Sequence, residues 1–163
     1  MNKDNMAVWH HQGHEAKEIF RYTGCGLEDV YLASGYDIEE TPYGQGVAIR
    51  NLESLHVQIG IYLAKNRKTL NGKEIRFLRH QMDLTQSELA RLLGCNAQQV
   101  ARYEKNKSRL IGPADRVIRV LFEEHVAEVG SIRDMLDALD RMDDTGDDRL
   151  VFEDVGGQWR HAA

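Results

Sequence analysis

The sequence predicts an α+β fold that is mainly α. From Asn51 onward, apolar residues recur at spacings of three and four, the period of a helix face. Before that point, between Phe20 and Ile49, short runs of Tyr, Val, Phe and Ile alternate with Gly24, Gly26, Gly35, Gly44 and Gly46, a strand-and-turn texture. Charge is segregated as well. Residues 1–64 carry a net −5, residues 65–119 a net +8 and residues 120–163 a net −8, so the whole-chain value of −5 conceals a basic block between acidic flanks. A length of 163 residues suits one ordinary domain or two small ones.

Residues 1–18, with few large aliphatics and with His10, His11 and His14, are expected to be a flexible leader. Residues 19–68 form a small N-terminal domain. Its best strands are Val30-Tyr31-Leu32-Ala33 and Gly46-Val47-Ala48-Ile49, with Thr41-Pro42-Tyr43-Gly44 as a turn. Leu52, Leu55, Ile59 and Leu63 then line one face of a helix that ends near Lys65–Lys68, with His56 on or beside that face.

Residues 69–130 read as a run of short helices. Asn71 with Glu74, and Thr85 with Glu88, have capping-box spacing. The first box opens a helix to about Met82. The second opens a helix that buries Leu89, Leu92 and Leu93 and stops at Gly94. Asn96 caps the next helix, which carries Val100 and Tyr103 inward. Two helices joined by so tight a turn must cross steeply, which is the helix-turn-helix arrangement. Gly112-Pro113 starts another helix, with Val117, Ile118, Leu121 and Phe122 on one face, running to about Val129. Residues 131–163 hold a helix capped by Ser131, an acidic linker Asp143–Asp148, and a terminal hairpin or strand arm around Gly156-Gly157.

The segment Gln86–Lys105 resembles the helix-turn-helix of the XRE family of repressors. Leu89, Ala90 and Leu93 sit where the first helix packs inward, Gly94 at the turn, Cys95 in the buried slot after it, and Val100 and Tyr103 on the inner face of the second helix. The resemblance implies a five-helix-like, lambda-repressor-type DNA-binding domain, flanked by the β-rich segment and the strand arm. It places Ala97, Gln98, Gln99 and Arg102 at base edges in the major groove, where Gln suits adenine and Arg suits guanine. Asn96, Gln86 and Ser87 sit at helix N-termini that suit phosphate. Lys105, Asn106, Lys107 and Arg109 follow the second helix and would clamp the DNA backbone. One such motif reads one half-site, so the resemblance also implies a homodimer on a palindromic operator of double-stranded DNA, with half-sites roughly 34 Å apart. Ile132, Met135, Leu136 and Leu139, excess apolar surface on a monomer, the helix after Pro113 and the strand arm are the candidate dimer surfaces.

Tyr22-Thr23-Gly24-Cys25-Gly26 resembles the knuckle that opens the zinc ribbon of MqsA-type antitoxins, relatives of the HigA-like ones, with Tyr22 in place of the first cysteine and no second pair following. A structural zinc site needs four ligands, so no metal is expected, nor any cofactor. The likeness implies an autoregulating repressor that is the antitoxin of a toxin–antitoxin pair, with residues 20–64 or the acidic tail covering a cationic toxin. The alternative is a stand-alone XRE-family regulator whose N-terminal domain senses a ligand or partner. No catalytic constellation is evident, so no enzyme is expected. Apolar runs are too short to span a membrane, no signal peptide is evident and two cysteines make no disulfide framework, which predicts a cytoplasmic protein.

Overall fold

The computed structural model describes residues 6–9, 17–126, 139, 141–142 and 149–162. The chain divides into two compact units, 1–58 with 148–163 and 59–147, the boundary falling inside one helix.

The first unit is a sheet assembled from both ends of the chain. Its strands are β1 (Met6–Trp9), β2 (Lys17–Arg21), β3 (Val30–Leu32), β4 (Tyr36–Thr41), β5 (Gly44–Ile49), β6 (Leu150–Val155) and β7 (Gln158–His161). A five-stranded sheet runs in the order β1-β2-β3-β6-β7, while β4 and β5 form a separate hairpin. β6 pairs parallel with β3, Val30 opposite Leu150 and Leu32 opposite Phe152. Side chains of Ile19, Val30, Leu32, Leu150 and Phe152 are fully buried. The Trp159 indole N–H donates to the carbonyls of Arg50 and Asn51, at 2.8 and 3.1 Å. Residues 6–9 of the expected flexible leader are thus a strand, paired with β2. The terminal segment, expected as a small hairpin or strand arm, is a hairpin, and it is built into the sheet. Its strands are apolar on the covered face, and β6 has a partner on each side.

In this unit Tyr22 is buried, at 7% exposure. Its hydroxyl lies 2.9 Å from His56 Nε2, and the two rings stack. Burial, with a smaller contribution from Cys25, pushes the Tyr22 phenol up to about 12. Burial also lowers His56 and raises the Cys25 thiol. Among the described residues no group of three or more His, Cys, Asp or Glu is placed to hold a metal ion.

The second unit is helical. The helix α1 (Leu52–Asn66), whose first half lies in the other unit, is followed by α2 (Gly72–Gln81), α3 (Gln86–Leu93), α4 (Ala97–Glu104) and α5 (Pro113–His125). Ile59, Leu63, Ile75, Leu78, Leu89, Val100, Ile118 and Phe122 are buried to 1% exposure or less. Arg119 is fully buried among them. It grips Asp115 through Nε and Nη2, and its N–H groups also donate to the carbonyls of Leu63 and Ala64, in the last turn of α1, and of Lys68 just beyond it. No described helix is long and apolar enough to cross a membrane.

Two readings of apolar residues need correction. Leu92 is 44% exposed and Leu93 only half-buried, because a two-turn helix fills its contacts with Leu89 and Ala90. Leu139 is fully buried in its own chain and its carbonyl accepts from Lys68, so it is not spare surface for a dimer. Ile132, Met135 and Leu136 lie outside the described residues, as do the Ser131 cap, residues 143–148 and the three N-terminal histidines.

Trp159→Ala tests whether the terminal hairpin is part of the sheet. Removing a 2%-exposed indole with two hydrogen bonds should cost about 3–5 kcal/mol of unfolding free energy in urea titration. An unchanged midpoint would mean the hairpin is a detachable arm.

Candidate nucleic-acid interface

Local chemistry sets the ends of α2, α3 and α4. Asn71 and Thr85 cap α2 and α3, each in a reciprocal capping box with Glu74 and Glu88. Gly94 ends α3 in the left-handed conformation, at φ 71°, where an L side chain would be strained. Asn96 caps α4, its Oδ1 accepting from the Gln99 N–H at 2.9 Å. These are the boundaries the sequence predicts for this region.

A buried ion pair orients the helices once they form. Arg79 on α2 donates from Nε and Nη2 to the Glu104 carboxylate at the end of α4, at 2.6 and 3.2 Å, and from Nη1 to the Leu84 carbonyl in the turn before α3. Glu104 also accepts from Gln86 Nε2, at 2.8 Å, at the start of α3. The side chains of Arg79 and Glu104 are 9% and 5% exposed. Burial alone would raise the Glu104 carboxyl. Hydrogen bonds from Arg79 and Gln86, with the charges of Arg79 and Arg76, outweigh it and hold the group below the usual carboxylate value. At the other end of α2, the Gly72 N–H donates to Asn106 Oδ1 at 2.6 Å. A β-carbon on Gly72 would lie 2.4 Å from the Glu104 carbonyl oxygen, so the close approach of α2 to the end of α4 requires glycine there.

The predicted site residues divide into two groups. Gln98, Arg102, Ser87, Lys105, Lys107 and Arg109 are exposed, and Ala97 is half-buried. Of these, Arg109 also donates to Thr69 Oγ1, and the remaining residues, of which Asn96 and Asn106 are exposed too, are hydrogen-bonded within the chain. Gln86 is held by Glu104, Asn96 by its capping bond, Asn106 by Gly72 and Gln99 by Ser108, whose hydroxyl accepts from Gln99 Nε2 at 3.0 Å. Cys95 is half-buried rather than fully enclosed, and burial raises its thiol. Leu89, Ala90 and Val100 are buried and Tyr103 is half-buried, on the inner faces. The ion pair of Arg79 and Glu104 was not read from the sequence. Arg79 lies four residues after Ile75 and Glu104 four after Val100, on the inner sides of their helices, a spacing that does not by itself distinguish a buried pair from two charges at the edge of each face.

A family model for the helix-turn-helix matches residues 75–111, from within α2 to the residue after Leu110. This segment is an XRE-type helix-turn-helix, a DNA-binding regulatory domain. No curated protein and no solved structure matches the chain. Within the helix-turn-helix, the basic block of the sequence supplies exposed cations immediately after α4, at Lys105, Lys107 and Arg109.

Glu104→Gln removes the carboxylate and leaves the Arg79 guanidinium buried without its counter-charge, an expected loss of about 3–5 kcal/mol. The pH dependence has a fixed sign. A carboxyl held below its unfolded value supplies stability that is complete above the unfolded carboxylate range and drains as pH falls through the lowered one. Unfolding free energies measured on acidification should therefore fall more steeply for the native chain than for Glu104→Gln. Parallel curves would contradict this.

Proposed function

We propose that the chain is a sequence-specific transcriptional repressor that binds a palindromic operator as a homodimer and acts in the cytoplasm. The observation that carries the reading is the outward face of α4. Gln98 and Arg102, four residues apart on one side of a helix whose inner side is pinned by Val100 and the ion pair of Glu104, are both exposed. Gln can pair with both adenine groups in the major groove and Arg with both guanine groups. The Ala97 methyl suits a thymine methyl. Ser87, at the N-terminus of α3, and the cations of the loop after α4 contact phosphates.

The acidic flanks support a second part of the proposal, that the repressor is also an antitoxin that covers a cationic toxin protein. The hairpin β4–β5 is exposed at Asp37, Glu39 and Glu40 and carries no Lys or Arg between Tyr36 and Ile49. Co-expression with the product of the adjacent gene tests this. Relief of growth arrest supports the antitoxin, and an adjacent product that neither arrests growth nor binds favours a stand-alone regulator.

On a selected operator, Gln98→Ala and Arg102→Ala should each relax preference at one base-pair position by about 1–3 kcal/mol. Lys107→Ala should instead weaken all sequences alike and reduce the steepness of the salt dependence by about one unit. Competition titrations at several salt concentrations separate the two patterns. Uniform loss in all three variants would remove α4 as the reading element.

A further inference from the structure

Gln99 lies beside Gln98 in sequence, and its side chain serves a different contact. On a helix, residues four apart share a side. Gln98 pairs in this way with Arg102, and both are exposed, whereas Gln99 pairs with Tyr103, and both are half-buried. The Gln99 amide is turned away from the exposed face and donates to Ser108 Oγ at 3.0 Å, nine residues later.

The segment this bond reaches is the loop after α4. It carries Lys105, Lys107 and Arg109. Asn106 adopts a left-handed conformation at φ 55° and accepts from the Gly72 N–H. The Lys107 N–H donates to the Arg102 carbonyl at 2.9 Å. Arg109 Nη2 donates to Thr69 Oγ1 at 3.3 Å. Leu110 buries the end of the loop in the core, at 2% exposure. A cleft of about 250 Å³ lies against the loop, lined by Asn71, Ile75, Tyr103, Ser108 and Leu110 among others. Between α4 and Leu110 the loop is placed by these hydrogen bonds, and the Gln99 side chain carries one of them from α4 to Ser108.

We propose that Gln99 is a positioning residue rather than a base reader: through Ser108 it fixes the cationic loop at a set distance from α4, so that Lys107 and Arg109 reach phosphates while Gln98 and Arg102 reach bases. This assigns the two adjacent glutamines opposite tasks, one on sequence and one on backbone. It rests on the DNA-binding reading above and depends on neither a toxin nor a particular operator.

The experiment compares the full-length native chain, Gln99→Ala, Ser108→Ala, the double variant and Ser108→Thr. Each is titrated against the operator selected by the native chain and against a panel of single-base variants of it, at several salt concentrations. Circular dichroism melting confirms that each variant is folded. Gln99→Ala and Ser108→Ala should each bind every member of the panel weaker by about two- to tenfold, the worth of one hydrogen bond. The order of base preferences should be unchanged and the salt dependence shallower. The double variant should be no worse than either single one, because both remove the same contact. Ser108→Thr, which keeps the hydroxyl, should retain native affinity. The proposal is overturned if Gln99→Ala relaxes preference at one base-pair position while Ser108→Ala leaves binding unchanged. It is overturned equally if neither single variant weakens binding. A native chain that selects no sequence would defeat the DNA-reading assignment itself, a result distinct from either of these.

Discussion

The ion pair between Arg79 and Glu104 is the constraint on which the DNA-facing geometry depends. α3 and α4 have eight residues each, well below the length at which an isolated helix persists in water. Their caps define where they begin and end, and tertiary contacts must define how they cross. Arg79 reaches the end of α4, the turn before α3 and, through the shared carboxylate, the Gln86 side chain at the start of α3. One guanidinium thus fixes three elements relative to one another. A buried pair of this kind adds little net stability over an apolar substitute, since desolvation offsets much of the attraction. Its directional hydrogen bonds fix where the helices meet. Arg119 serves a parallel purpose, joining α5 to the end of α1 by bonds to backbone carbonyls.

With the crossing fixed, the exposed groups separate by chemistry. The neutral amide and the guanidinium of Gln98 and Arg102 project from α4, and simple cations follow it in the loop. The rest of the molecule is acidic. Net charge is −5 over residues 1–64 and −8 over residues 120–163, which weakens long-range attraction to DNA in general and leaves the close contacts to decide where the chain binds. The overall charge of −5 is therefore compatible with a DNA-binding segment whose own charge is +8 over residues 65–119.

What the sequence disclosed follows the range of the interactions. Capping boxes at Asn71 and Thr85, the αL glycine at Gly94, the cap at Asn96 and the proline at the start of α5 are contacts within four residues, and each is present where its spacing predicts. The parallel pairing of β3 with β6 joins residues 120 apart. Nothing local to Leu150-Val151-Phe152 says which strand it will lie against, so the sequence predicts the hairpin or strand arm without its place in the sheet. Buried Arg79 and Arg119 were illegible for a related reason, because an arginine on a short amphipathic helix has the same pattern whether it faces solvent or a carboxylate. The engaged state of Gln86, Gln99 and Asn106 depends on partners 18, 9 and 34 residues away, which a helical-wheel reading of DNA contacts cannot supply.

The most direct test of the DNA-reading assignment is selection by the native chain from a random pool of duplex DNA at physiological salt, followed by sequencing. The proposed homodimer predicts enrichment of a palindrome whose half-sites lie about one helical turn apart, roughly 34 Å. A pool that emerges with no preferred sequence, or binding that scales only with duplex length, would contradict it.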